Sequence, residues 1–119
     1  MTKENAHLLL ITDQNESELM IMILADTAYK VTELNLAPYR RAEKEDVIAR
    51  YLMTHEYDAV LVPEPLQVAA AVRAQHLGPV IGYSGMVQDR GSYNAVINLI
   101  QMNTSNPGKI VTDSLESCL

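Results

Sequence analysis

The chain has 119 residues, 48% hydrophobic and 20% charged, with a formal net charge of −6 and a single cysteine, Cys118. These are the values of one globular domain with one core, which at this size needs neither disulfides nor a structural metal to hold it together. The acidic balance argues against a nucleic-acid surface, since phosphate contacts need clustered Lys and Arg, and the only basic cluster, Arg40-Arg41 with Lys44, is interleaved with Glu43, Glu45 and Asp46 as on a solvated helix face.

The amino terminus, Met1 to Asn5, is polar, and the apolar run behind it, Leu8-Leu9-Leu10-Ile11, is too short for a secretory signal or a membrane span. A cytoplasmic protein with no membrane partner is expected. That run suits a strand covered on both faces of a parallel sheet. Asp13-Gln14-Asn15 breaks it, Asn15 and Glu18 have the spacing of a capping box, and Leu19 through Leu24 reads as a largely buried helix.

Tyr29 to Leu34 has the alternation of an edge strand, and Pro38 separates it from a charged helix. In that helix Val47, Ile48, Tyr51 and Leu52 form one apolar stripe. His55 near its end has a structural role beside the carbonyl dipole. Asp58 to Val62 is the third strand, and Pro65 suits the first position of a third helix running through Leu66, Val68, Val72 and Ala74. Gly78-Pro79 stops it.

Val80-Ile81-Gly82-Tyr83 is the fourth strand, ending at Ser84-Gly85. Tyr83 is expected in the core with its hydroxyl at the surface. Ser92 can cap a fourth helix in which Tyr93, Val96, Ile97 and Ile100 share a face, Asn103 to Gly108 reads as a loop, and Lys109-Ile110-Val111-Thr112 as a short fifth strand. Residues 113–119 remain as a disordered or short helical tail, and Cys118 is too close to the end for a prenylation box.

Strands alternating with helices, joined by connections of crossover length, predict a flavodoxin-like α/β fold: a three-layer sandwich with a central parallel sheet of about five strands in the order 2-1-3-4-5, all within a single domain 1–119. Ligands on such sheets bind beyond the carboxyl ends of the strands. The residues falling there are Thr12, Asp13 and Gln14, Pro63 and Glu64, and Ser84 with Gly85. His7, His55 and His76 have no metal-ligand spacing, there is no Gly-rich phosphate cradle after the first strand, and Ser84 has no sequence-placed base to activate it.

Leu8 to Asp13, Tyr57 to Val62 and Pro79 to Ser84 resemble the three core strands of a response-regulator receiver domain. The resemblance implies two adjacent acids after strand one for magnesium, a phosphoacceptor aspartate after strand three, a hydroxyl after strand four and a lysine after strand five. In this chain Asp13 stands for the second acid, Thr12 replaces the first, Pro63 replaces the acceptor, Ser84 is the hydroxyl and Lys109 is a displaced match for the lysine. Glu64, next to the vacated position, is expected to face solvent at a helix start.

A degenerate receiver is therefore expected: no enzyme, no cofactor and no bound metal, but a phosphorylation-independent regulatory module in signalling or transcription control. Its partner is another protein or a second copy of itself, with Ser92 to Thr112 as the contacting surface. The alternative is a small flavodoxin-like domain holding a nucleotide or other anion over Asp13, Ser84 and Gly85.

Overall fold

A computed structural model describes residues 6–12, 17–25, 27, 29–63, 68–75, 78–84, 93–98 and 107–118. Among them the chain runs β1 (His7–Thr12), α1 (Ser17–Ala25), β2 (Lys30–Asn35), α2 (Arg41–Thr54), β3 (Ala59–Pro63), α3 (Ala69–Gln75), β4 (Val80–Ser84), β5 (Ala95–Asn98) and α4 (Pro107–Cys118). All strand pairs are parallel and the order is β2-β1-β3-β4-β5. This is the flavodoxin-like topology that the alternation of elements predicts.

Side-chain alternation along the strands divides the core in two. On one face Leu8, Leu10, Ala59, Leu61, Ile81, Tyr83 and Ile97 meet Met20, Ile23 and Leu24 of α1 and Val111 and Leu115 of α4. On the other, Leu9, Ile11, Val60, Val62 and Val80 meet Ile48 of α2 and Val68 and Val72 beside and within α3. The sheet is thus the middle of three layers. Each fully buried aliphatic side chain of this kind stabilises the fold by about 1.5–3 kcal/mol, which is why continuous runs such as Leu8 to Ile11 define the sheet's centre.

The stripe foreseen on the second helix is present: Ile48 is buried, while Val47, Tyr51 and Leu52 are half-buried against the same cluster. Arg40 caps α2 with its backbone only, its carbonyl accepting from the N–H groups of Glu43 and Lys44. At the other end the His55 N–H donates to the Tyr51 carbonyl.

The last third of the chain corrects the sequence reading. Residues 95–98, expected within a helix, form β5, and residues 109–112, expected as the fifth strand, lie inside α4. Val96 and Ile97 share a helical face with Ile100, but a short β-branched run between Asn94 and Asn98 equally suits a buried strand, and the sheet's open edge beside β4 decides the matter. Asn94 helps set its register. Its N–H donates to the Val80 carbonyl at 2.8 Å and its side-chain Oδ1 accepts from the Val80 N–H at 2.9 Å, so one residue meets both polar groups at the start of β4.

Pro107, read as part of a loop, is the first residue of α4, where a missing N–H costs nothing. Val111 and Leu115, four apart, are both fully buried, and Asp113, Glu116 and Ser117 are exposed. What was read as a tail from residue 113 is therefore helical to Cys118. Asn15, Pro65, Leu66, His76, Ser92 and Ile100 fall outside the described residues, as does the side chain of Glu18.

Candidate functional site

The carboxyl ends of β1, β3 and β4 lie side by side, as the resemblance requires, and the described residues there are Thr12, Pro63 and Ser84. Asp13, Glu64 and Gly85 are outside the described residues. Lys109 lies in the first turn of α4 and not at a strand end. The residue at the end of β5 is Asn98, paired in register with Ser84. The sequence offered Lys109 only as a displaced match, at the start of a strand read over residues 109–112, and that stretch is helical here.

Backbone parity shows what Pro63 does. Thr12 accepts from the Leu36 N–H at 3.0 Å, so its carbonyl faces β2, and the carbonyl of Ile11, one residue back, faces β3. On β3 the Val60 N–H donates to Pro79 at 3.1 Å, towards β4, so residues 59, 61 and 63 face β1. The register Leu10↔Leu61, carried on two residues, puts the nitrogen of Pro63 opposite the Ile11 carbonyl. A regular ladder would close there with an N–H, and proline has none.

The missing donor is replaced from two strands away. Tyr83 on β4, the register partner of Pro63, is fully buried and its phenol donates to the Ile11 carbonyl at 2.5 Å. Its side chain lies on the α1/α4 face, the same face as Pro63 and Thr12, and reaches across β3 to do so. The hydroxyl expected at the surface is instead inside, because a carbonyl deprived of its ladder partner needs a donor. The sequence signal for this contact was a proline at a strand end with a tyrosine one strand over, which is meaningful only once the register is known.

Thr12 is 2% exposed, and its hydroxyl donates to Oε2 of Glu33 on β2 at 2.9 Å. The position that the resemblance gives to an acid is thus taken by a donor, already committed to a carboxylate. A magnesium ion needs several free oxygen ligands. The described residues do not fit one: Thr12 is engaged, Pro63 has no side-chain oxygen, and the Tyr83 phenol is directed into the sheet. Among the described residues no group of three or more His, Cys, Asp or Glu side chains is placed to hold a metal ion.

A second polar constellation sits at the opposite, amino edge of the sheet. The His7 N–H donates to Asp58 Oδ2 and the Asp58 N–H to the His7 carbonyl, both at 2.7 Å. The His7 Nε2 is 2.7 Å from Thr32 Oγ1, and its ring lies 4.7 Å from that of Tyr57. Burial, first, and the charge of Lys30 hold the His7 imidazole below its ordinary pKa of 6.5, with Asp58 partly opposing them and His55 adding to the lowering. No histidine spacing in the sequence announces this network, since its members come from three separate segments.

The sign of the resulting pH effect follows from linkage. With the folded pKa below 6.5, the unfolded chain binds the proton more readily, so the His7 contribution is complete at neutral pH and declines as pH falls below about 6.5. Urea melts at pH 7.5 and pH 5.5 are expected to show a larger acid-side loss in the unmodified chain than in His7→Gln. Equal losses in the two proteins would remove His7 from this account.

No family model matches the chain, and no curated protein or solved structure matches it. Among the described residues no helix is long and apolar enough to cross a membrane. The fold is thus of the flavodoxin-like α/β class, with a proline at a strand end where such sheets usually bind a ligand.

Proposed function

We propose that this chain is a receiver-like regulatory module that acts through protein contacts and not through phosphotransfer, in a cytoplasmic signalling or transcription-control setting. One observation carries the reading: at the position of the acceptor stands Pro63, which offers no carboxylate, and the buried Tyr83 side chain is bonded across it to Ile11. Phosphoryl transfer to a receiver needs a carboxylate nucleophile and a metal ion to neutralise the transferring group. Pro63 supplies no carboxylate, and the Glu33 carboxylate already accepts from Thr12. The five-stranded parallel sheet, with described helices packed on both of its faces, is compatible with such a role.

Incubation with acetyl phosphate and magnesium, followed by intact-mass spectrometry, is expected to leave the mass unchanged. A stoichiometric phosphoryl adduct on any residue would overturn the reading. The surface expected between residues 92 and 112 consists, in its described parts, of β5 and the start of α4, and it is the surface this proposal assigns to a partner protein.

A further inference from the structure

β2 is the edge of the sheet, and among the described residues no strand pairs with its outer side. The N–H groups of Lys30 and Leu36 donate inward, to Ala6 and Thr12, so the even-numbered residues face β1 and the N–H and C=O groups of Val31, Glu33 and Asn35 face out. Beside this edge, on the α1 side, runs a groove of about 300 Å³ whose lining includes Leu10, Ile21, Leu24, Tyr29, Val31 and Glu33. Ile21 and Met22 of α1 are 37% and 67% exposed. An open six-residue edge next to uncovered aliphatic side chains is a surface that proteins ordinarily cover or charge.

We propose that a second copy of the chain covers it, by antiparallel pairing of β2 with β2 about a two-fold axis perpendicular to the sheet. The pairing rules select the register. Outward-facing groups meet only when odd-numbered residues oppose one another, which leaves four symmetric arrangements that pair at least three residues of this strand, centred on Val31, Thr32, Glu33 or Leu34. Centring on Glu33 sets two carboxylates face to face, which is unfavourable; centring on Thr32 sets Val31 against Glu33 and gives that carboxylate no polar partner, and centring on Leu34 pairs Glu33 with Asn35 but leaves Val31 and the groove beyond the paired residues. Centring on Val31 sets valine against valine on the axis and the Tyr29 phenol, a donor, opposite the Glu33 carboxylate of the other copy. On the reverse face Lys30 meets Thr32.

This register joins the two grooves along a floor of paired valines and puts both α1 helices on the same side of a continuous ten-stranded sheet. The surface is the one opposite β5, and the inference stands independently of the signalling role. The edge is self-complementary, which is what an isologous interface requires.

Light scattering of the unmodified chain is expected to give twice the monomer mass, falling towards one on dilution. Single cysteines introduced in a Cys118→Ser background then read the register. Opposed residues of a hydrogen-bonded pair have Cα atoms about 5.5 Å apart, inside the disulfide range of about 4.4–6.8 Å. Val31→Cys is expected to give a cross-linked dimer with copper phenanthroline, and Thr32→Cys and Glu33→Cys to remain uncrosslinked. A monomer at every concentration, or cross-linking at 32 or 33 in preference to 31, would overturn the proposal. Neither outcome touches the phosphodonor experiment, so the two readings fail separately.

Discussion

Tyr83→Phe is expected to destabilise the fold by about 1–3 kcal/mol, a large effect for the loss of one oxygen atom. The substitution keeps the ring in the core but leaves the Ile11 carbonyl buried with no donor among the described residues, because Pro63 has no N–H to offer in its place. A tyrosine hydroxyl at the surface would cost little to remove. The argument has a second arm in Pro63→Ala, which restores an N–H facing that carbonyl. Combined with Tyr83→Phe, it is expected to recover at least about 0.5 kcal/mol relative to the sum of the single changes, measured by urea denaturation as a double-mutant cycle. Strict additivity would show that the phenol and the missing ladder bond are unrelated.

The second large effect is expected at Gly82, on the opposite face of the same strand. The Tyr93 ring lies so close over it that a Cβ built there meets Cδ1, Cδ2 and Cε1 of the ring at 2.8 Å, a separation real Cβ atoms do not show. Gly82 is thus needed for close approach of an aromatic side chain and not for a special backbone angle. Gly82→Ala is expected to cost about 1–3 kcal/mol, as overpacking does in a filled core. For a chain of this size that is a fall in melting temperature of roughly 3–5 °C per kcal/mol. Adding Tyr93→Leu is expected to return part of the loss, since a narrower side chain can move aside. Calorimetry showing Gly82→Ala as stable as the unmodified chain would mean Tyr93 shifts freely and does not hold the entry to β5.

Much of the sheet is legible in the sequence because its central strands are continuous apolar runs bounded by breakers. Leu8 to Ile11, Ala59 to Val62 and Val80 to Tyr83 need only to be recognised as buried on both faces, and the parallel order then follows from crossover connections. The failure at the carboxyl end has an equally local cause. Val96 and Ile97 carry no period that separates helix from strand, and reading Pro107 as a loop residue hid the helix start it marks. The residue that ends the actual fifth strand, Asn98, was for that reason not considered as its site residue.

The site was legible only in part. That position 63 carries no acceptor can be read directly, but what fills the space depends on register and on a side chain from two strands away. Likewise, the His7 network joins residues 51 positions apart in sequence, through contacts that no local pattern encodes. Long-range hydrogen bonds between otherwise ordinary residues leave little trace in a single chain.

For descent, the tie between Pro63 and Tyr83 links the two positions. An aspartate at position 63 brings back a backbone N–H that competes with the phenol for the one Ile11 carbonyl, and its carboxylate enters a face of the sheet that the tyrosine already fills. Changing Tyr83 first removes the phenol that donates to that carbonyl while proline remains. Positions 63 and 83 are therefore expected to vary together, since a change at either alters what the Ile11 carbonyl requires of the other.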